Sequence, residues 1–275
     1  MQLSEITFVL GGDDTEMRYI SDILEENDLR FVFASDSMGE RITRRRAYET
    51  DIPKLNRKQV WVECRPRHYS SHEMQSLGYH LIDHHNDGDP GFGKSPQNYW
   101  EASSIGQVCE LIGHPKTIEL QMIAAADHCL RHAYNNECSP IKREQLLEFR
   151  LSHYKEGMEQ ARSRFQRLTS MMKANQDYEF NGTMYFDATH VPGLAFFVTD
   201  VSAYNNIPFI SFRTRPGKES SKVFLGNASK KDISYFLSEG CHQFGEVQGT
   251  FGDPSRQFAG AYIKKDEGHE DRSHS

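Results

Sequence analysis

The stretch "GYHLIDHHNDGDPGFG", Gly78 to Gly93, ends a short apolar run on one carboxylate and two adjacent imidazoles, Asp83, His84 and His85, and continues into a glycine-rich loop. An apolar run bounded by turn residues reads as a buried strand. Neighbouring side chains that leave a strand end point in different directions. Both histidines facing one metal ion is therefore awkward, and a division of labour follows: one imidazole bonds metal, the other faces substrate, and Asp83 orients a ring.

Working outward, "ITFVL" (Ile6 to Leu10) is a second short apolar run, closed by Gly11 and Gly12. "DDTEMRYISDILEEN" follows with Met17, Ile20, Ile23 and Leu24 at helical spacing, and Asp13 or Asp14 is placed to cap that helix. "RFVFAS" and "QVWVECRP" read as further strands. Strands alternating with helices imply an α/β fold whose N-terminal sheet is mostly parallel and covered by helices. Such sheets gather ligands at the carboxyl ends of their strands. Those ends here carry Gly11 to Asp14, Glu63 to Arg67, and Asp83 to Asn86.

After the loop, "YWEASSIGQVCELIG" has a Ser103/Ser104 start and a Gly113 stop, a competent short helix. "KTIELQMIAAADHCLRHAY" is an Ala-rich helix interrupted by Asp127, His128 and His132. Burying a carboxylate in such a segment is costly unless it is paired or bound to metal, which singles out Asp127. His128 and His132 lie four apart, a zinc spacing, but the glutamate of the metalloprotease pattern is missing. A zinc hydrolase built on that pair would need both rings to face the site.

The expected organisation is an N-terminal metal-binding domain over residues 1–140, a long charged helical linker over 141–176, a smaller C-terminal α/β domain over 177–265 and a disordered tail over 266–275. Strands are expected at "GTMYFDATH", "PFISFRTR", "SKVFLGNAS" and "RQFAGAYIK", and helices at "LAFFVTDVSAYNN" and "KKDISYFLSEGCHQFG".

The 275 residues carry a net charge of -7, which gives no general attraction to duplex DNA. The densest basic run, "ERITRRRAYE" with Arg41, Arg44, Arg45 and Arg46, reads as a solvated helix face or a small local basic site. No run approaches the roughly 18 apolar residues of a membrane span, and the N-terminus lacks the pattern of a secretory signal. A cytoplasmic protein is expected. The five scattered cysteines show no paired spacing, so a disulfide scaffold is not expected. Dinucleotide-binding, phosphate-loop and serine-nucleophile patterns are absent.

Taken in order, "LIDHHN", "EASSIGQVCELIG" and "IAAADHC" resemble the DHH phosphoesterase superfamily, and the likeness extends over roughly Ile6 to Tyr134. The C-terminal part is similar, more loosely, to the DHH-associated domain, with "GTFGDPSRQFAGAYI" in the place of its substrate-binding turn. The resemblance implies two α/β domains with the active cleft between them, and hydrolysis of phosphoesters of small molecules or nucleic acids. It implies Mn²⁺, one or two ions, with other divalent metals as alternatives. By position it implies metal ligation by His84, Asp127, Glu63 and Asp13 or Asp14, phosphate contact by His85, and orientation by Asp83. Glu63 stands where the family has an aspartate, and "VLGGDD" lacks the histidine of the family's first motif.

The C-terminal turn also lacks its histidine, and Arg256 stands close by. Arg256, with Ser255, is the expected binder of the substrate's phosphate or base, and Arg213, Arg215 and Lys218 add charge. The expected substrate is a small nucleotide or short single-stranded nucleic acid, with no duplex DNA or membrane as partner and homodimerisation left open. The rival reading is a non-catalytic nucleotide- or protein-binding descendant with a degraded metal site.

Overall fold

The computed structural model describes residues 2–52, 58–191, 197–214 and 220–264, so Arg215, Lys218 and the expected tail over 266–275 lie outside the described residues. The chain divides into two compact units, Met1–Lys142 and Arg143–Ser275.

The first unit is built on a four-stranded sheet in the order β2-β1-β3-β4: β1 (Ile6–Leu10), β2 (Phe31–Phe33), β3 (Lys58–Val62) and β4 (His80–Ile82). Every pairing is parallel. The all-apolar run of β1 follows from this, because a central parallel strand is covered on both faces and all five of its residues are buried. Helix α1 (Thr15–Glu26) starts where the Asp14 side chain accepts from Met17 N at 2.9 Å. Met17, Ile20, Ile23 and Leu24 form its buried stripe. Short α2 (Ser71–Ser76) packs on β4, while α3 (Tyr99–Ala102), α4 (Ser104–Ile112) and α5 (Ile118–Tyr134) pack on one another, α4 and α5 also against α1. Ser103 caps α4 through Gly106 N, and Gly113 ends it in the left-handed conformation.

Strand order places a topological switch between β1 and β3, since the chain runs from β1 to β2 on one side and then returns to β3 on the other. Register aligns Leu10 with Val62 and Val62 with Ile82, so Gly11, Glu63 and Asp83 leave the sheet along one edge. That crevice is where ligands of such sheets bind.

The second unit begins with α6 (Arg143–Ser152) and α7 (Met158–Ala174). The long helical stretch expected from about Ile141 to Asn175 is thus two helices, broken where Gly157 takes a φ of 87° that helices do not use. A six-stranded sheet follows in the order β5-β6-β7-β8-β10-β9. Its strands are β5 (Tyr178–Phe180), β6 (Thr183–Asp187), β7 (Phe209–Thr214), β8 (Ser220–Gly226), β9 (Val247–Asp253) and β10 (Phe258–Lys264). The β6–β7 pair is parallel, with α8 (Val198–Asn205) between them in the chain, and the other pairs are antiparallel. Ile210, Val223, Leu225, Ala259 and Ala261 line one face of this sheet and pack against Ile233 and Phe236 of α9 (Lys230–Ser238). Among the described residues no helix is long and apolar enough to cross a membrane.

Candidate metal centre

Gly11 lets the β1 and β3 ends approach. A Cβ at Gly11 would sit 2.5 Å from the Glu63 carbonyl oxygen, so only glycine fits there. Glu63 itself has a φ of 51°, a left-handed conformation costing an L-residue roughly 1–2 kcal/mol. Its amide donates to Ile82 O at 2.9 Å, which holds the turn against β4. The buried carboxylate of Glu63 then accepts from the Ser104 hydroxyl at 2.8 Å. The "EASS" start of α4 therefore both caps a helix and orients an acid of the strand edge.

Asp83 is fully buried and uses both oxygens. Its Oδ1 accepts from His84 N at 2.7 Å, from His85 N at 3.1 Å and from His85 Nδ1 at 2.8 Å, while Oδ2 accepts from the Tyr48 hydroxyl at 3.2 Å. Burial alone raises its pKa, but the bond from His85, the charges of both histidines and the backbone donors outweigh it, and the carboxyl ends below its ordinary range. Asp83 thereby fixes the His85 ring, keeping the Nδ1 proton toward itself and leaving Nε2 for chemistry.

The loop after the histidines is tethered despite its glycines. Asp89 accepts from His85 N at 3.0 Å and Asn86 N at 2.6 Å, Ser71 donates to its other oxygen, and Gly91 N donates to Asp83 O at 2.9 Å. Arg65 lies 3.6 Å from Asp89 and covers the Tyr48 ring.

These supports bring Glu63, His84, His85 and Asp127 together, each offering a ligand atom within 4.8 Å of the others. His84 Nε2 lies 2.8 Å from Asp127 Oδ2 and 3.5 Å from Glu63 Oε1. Adjacent ligands on one ion, each at ~2.1 Å, stand roughly 3 Å apart, and opposite ones roughly 4.2 Å. The donors thus fit a divalent ion with a small contraction of the widest pair. Mixed carboxylate and imidazole suit Mn²⁺, Fe²⁺, Co²⁺ or Zn²⁺.

Asp127 reaches the cluster from α5 just before the helix loses regular geometry at Cys129 (φ -150°, ψ 52°). That kink removes the premise of the four-residue His128/His132 spacing. The His128 ring is buried, stacked 5.5 Å from His84, with Nε2 at 3.0 Å from Lys94 O. His132 pairs with Glu137 at 2.8 Å. The two rings serve separate structural contacts, and the zinc-pair idea falls.

Electrostatically the site is a crowd of acids. Burial first, then the Glu16, Asp127, Asp14 and Asp83 charges, push the Glu63 pKa well up. Glu16, on the buried side of α1, is likewise pushed well up by burial and by Asp127, while its Oε1 accepts Ile105 N at 2.8 Å. Asp14 is raised by burial and by Asp127, opposed by its bond from Met17 and the charge of Arg44. Like charges held close in a low dielectric favour protons or a cation.

Asp14 therefore lies within the field of the cluster, whereas Asp13 does not join it. The Asp13 side chain is 56% exposed and pairs with Arg18 at 2.8 Å. In the second unit, Ser255 donates through its amide and hydroxyl to Asp253 Oδ1 at 2.7 and 2.6 Å, the Arg256 guanidinium lies 5.6 Å from the Phe258 ring centroid, and Arg213 stands exposed near the end of β7. Sequence reasoning missed Glu16, Tyr48 and Asp89. For Glu16 a signal existed: it falls four residues before Ile20, on the apolar stripe of α1.

Fold and donor set together define a parallel α/β unit with a carboxylate–histidine cluster at its strand ends. No family model matches the chain, and no curated protein matches it. Among solved structures, the pGpG-specific phosphodiesterase PggH from Vibrio cholerae aligns over 96% of this chain and 94% of its own, at 10% identity and a TM-score of 0.40.

Proposed function

We propose that the protein is a divalent-metal-dependent phosphoesterase of the DHH type that cleaves a small nucleotide, such as a short oligonucleotide or a cyclic nucleotide. The observation that carries this reading is the convergence of Glu63, His84, His85 and Asp127 at a sheet switch point. Glu63, His84 and Asp127 would hold Mn²⁺, as one ion or a pair, with Asp14 close enough to contribute charge. A bound ion of this kind polarises phosphoryl oxygens and lowers the pKa of its water.

The chain's own groups supply the rest. Asp83 keeps His85 in one tautomer, and His85 neutralises charge on the phosphoryl oxygens or protonates the leaving group. Ser104 holds Glu63, and Tyr48 holds Asp83. Arg256, Ser255 and Arg213 of the C-terminal domain are the proposed grip on the substrate.

The test is an Mn²⁺-supplemented activity screen over short oligonucleotides, cyclic dinucleotides, nucleoside bisphosphates and pyrophosphate, run on the wild type, His84→Ala and Asp127→Ala. Turnover confined to the wild type supports the assignment. Full activity in both variants sinks it, and stoichiometric metal without turnover on any substrate leaves a nucleotide- or protein-binding descendant.

A further inference from the structure

The five cysteines take no part in the reading above, and their spacing along the chain pairs none of them. The fold does pair two. Cys129 and Cys138, nine residues apart, place their Sγ atoms 3.1 Å from each other and share a thiol hydrogen bond. Both are buried, Cys129 at 4% exposure and Cys138 at 0%. Burial raises the thiol pKa of Cys64, Cys109 and Cys241, which keeps those three in the protonated form that oxidants attack slowly.

The Cys129–Cys138 contact is built by the chain on both sides of it. Helix α5 is interrupted at Cys129 itself, with φ -150° and ψ 52°. Past the helix end the chain reverses: Asn135 N donates to Arg131 O at 3.0 Å, Glu137 N donates to His132 O at 2.9 Å, and Asn136 between them takes a φ of 59°. A left-handed residue lets so short a stretch fold back on its own helix. Cys138 O then accepts from Ile141 N at 2.8 Å, and Ser139 O accepts from the Tyr99 hydroxyl at 3.2 Å. The His132–Glu137 pair closes the same reversal at 2.8 Å. These bonds hold Cys138 against the break in α5.

Closing by roughly 1 Å brings the two sulfurs to bonding distance. Such a bond ties the break in α5 to the turn that follows it, and Asp127 lies two residues before that break. A cross-link there removes conformational freedom from the segment that presents this carboxylate.

We propose that Cys129 and Cys138 form a reversible redox site, oxidised by hydrogen peroxide to an intramolecular disulfide that fixes the break in α5 and, with it, Asp127. The chemistry takes two steps. The sulfur of Cys129, the more exposed of the two, attacks one peroxide oxygen; the O–O bond breaks, the other oxygen leaves as water with the thiol proton, and Cys129 becomes a sulfenic acid. The sulfur of Cys138 then attacks that of Cys129; the S–S bond forms, the S–O bond breaks, and the hydroxyl leaves as water with the Cys138 proton. The two thiols lose two electrons in all and peroxide gains them. A dithiol reductant reverses the bond by exchange. The site stands independently of the phosphoesterase reading.

The experiment treats the full chain with hydrogen peroxide, alkylates it in denaturant and digests it with trypsin. Cleavage at Arg131 separates the two cysteines, so the disulfide joins Thr117–Arg131 to His132–Lys142 at a mass lower by two hydrogens. That cross-link is expected in the wild type, reversed by dithiothreitol, with amide exchange over residues 128–138 slowed on the order of 10- to 100-fold in the oxidised protein. Cys138→Ser should lose the cross-link and accumulate a dimedone-reactive Cys129 instead, whereas Cys241→Ser should keep it. The oxidised chain should retain the Mn²⁺ stoichiometry of the reduced one.

Absence of this cross-link in the wild type, or its formation between other cysteines instead, overturns the proposal. Unchanged or faster exchange over residues 128–138 in the cross-linked protein, or loss on oxidation of Mn²⁺ binding that the reduced protein shows, overturns the fixing of Asp127. Should Cys138→Ser fail to fold, the wild-type cross-link and exchange decide alone.

Discussion

The second unit and the metal-centre edge of the first hold their acids in opposite ways. In the second unit Asp232 accepts from Asn181 Nδ2 at 2.9 Å, Thr183 Oγ1 at 3.0 Å, the Tyr185 hydroxyl at 3.0 Å and Ser229 Oγ at 2.9 Å. Asp200 receives Arg150 Nε and an Arg150 terminal nitrogen, each at 2.9 Å, and the Tyr154 hydroxyl at 3.1 Å. These carboxylates are fully supplied with donors and serve as joints. At that edge the buried Glu16 and Glu63, which share a hydrogen bond, face the charges of the partly buried Asp127 and of Asp14, and both are pushed up in pKa. A buried acid among donors stabilises a fold, whereas buried acids among acids destabilise it until a cation arrives.

The comparison can be broken by the matched pair Asp127→Asn and Asp232→Asn. Asp127→Asn should lower activity by at least ~10³-fold and abolish stoichiometric metal while leaving the metal-free melting temperature unchanged or raised. Asp232→Asn should leave metal binding intact and destabilise the second unit, since the new amide points donors at existing donors, by about 2–4 kcal/mol in a denaturant titration. Equal effects of the two variants on stability would remove the distinction.

Proton linkage sharpens the contrast. A glutamate whose folded pKa is raised contributes stability that is fully present below its unfolded value, near 4.5, and lost as pH climbs through the folded value. Metal-free wild type should therefore lose stability relative to Glu16→Gln as pH rises above that point, and Mn²⁺ should reverse the trend, because it replaces the protons. A difference between the two proteins that stays flat with pH, measured by chemical unfolding, would contradict the crowded-acid account. Asp83 behaves oppositely: its lowered pKa makes its contribution present above the ordinary aspartate value and lost on acidification.

The smallest expected effect is that of Tyr48→Phe. Losing one donor to Asp83 should cost about 1 kcal/mol and lower turnover several-fold without changing metal stoichiometry. A full loss of metal on this change would mean that Asp83 does more than orient His85.

Much of the first unit was legible because its polar residues interrupt strong apolar patterns. Asp83, His84 and His85 end a strand, Asp127 breaks an Ala-rich helix, and Ser103 with Gly113 brackets α4. Glu16 was hidden by its own plausibility, since an acid in the first turn of a helix is ordinary dipole chemistry. Strands β5 and β9 were missed because both lie at the edges of their sheet, where one side goes unpaired and the sequence stays polar, as in "EVQGTFGD". The break at Gly157 was obscured by the charged residues on both sides, which read as continuous helix. Asp13 and Asp14 could not be told apart from spacing, and capping geometry separates them.

The most direct test of the central claim is a calorimetric titration of chelator-treated protein with Mn²⁺ near neutral pH in two buffers of different ionisation enthalpy. The account predicts saturable, stoichiometric binding with proton release, lost in His84→Ala and Asp127→Ala while circular dichroism stays native. Absence of saturable binding by the wild type, or unchanged binding by both variants, would contradict it.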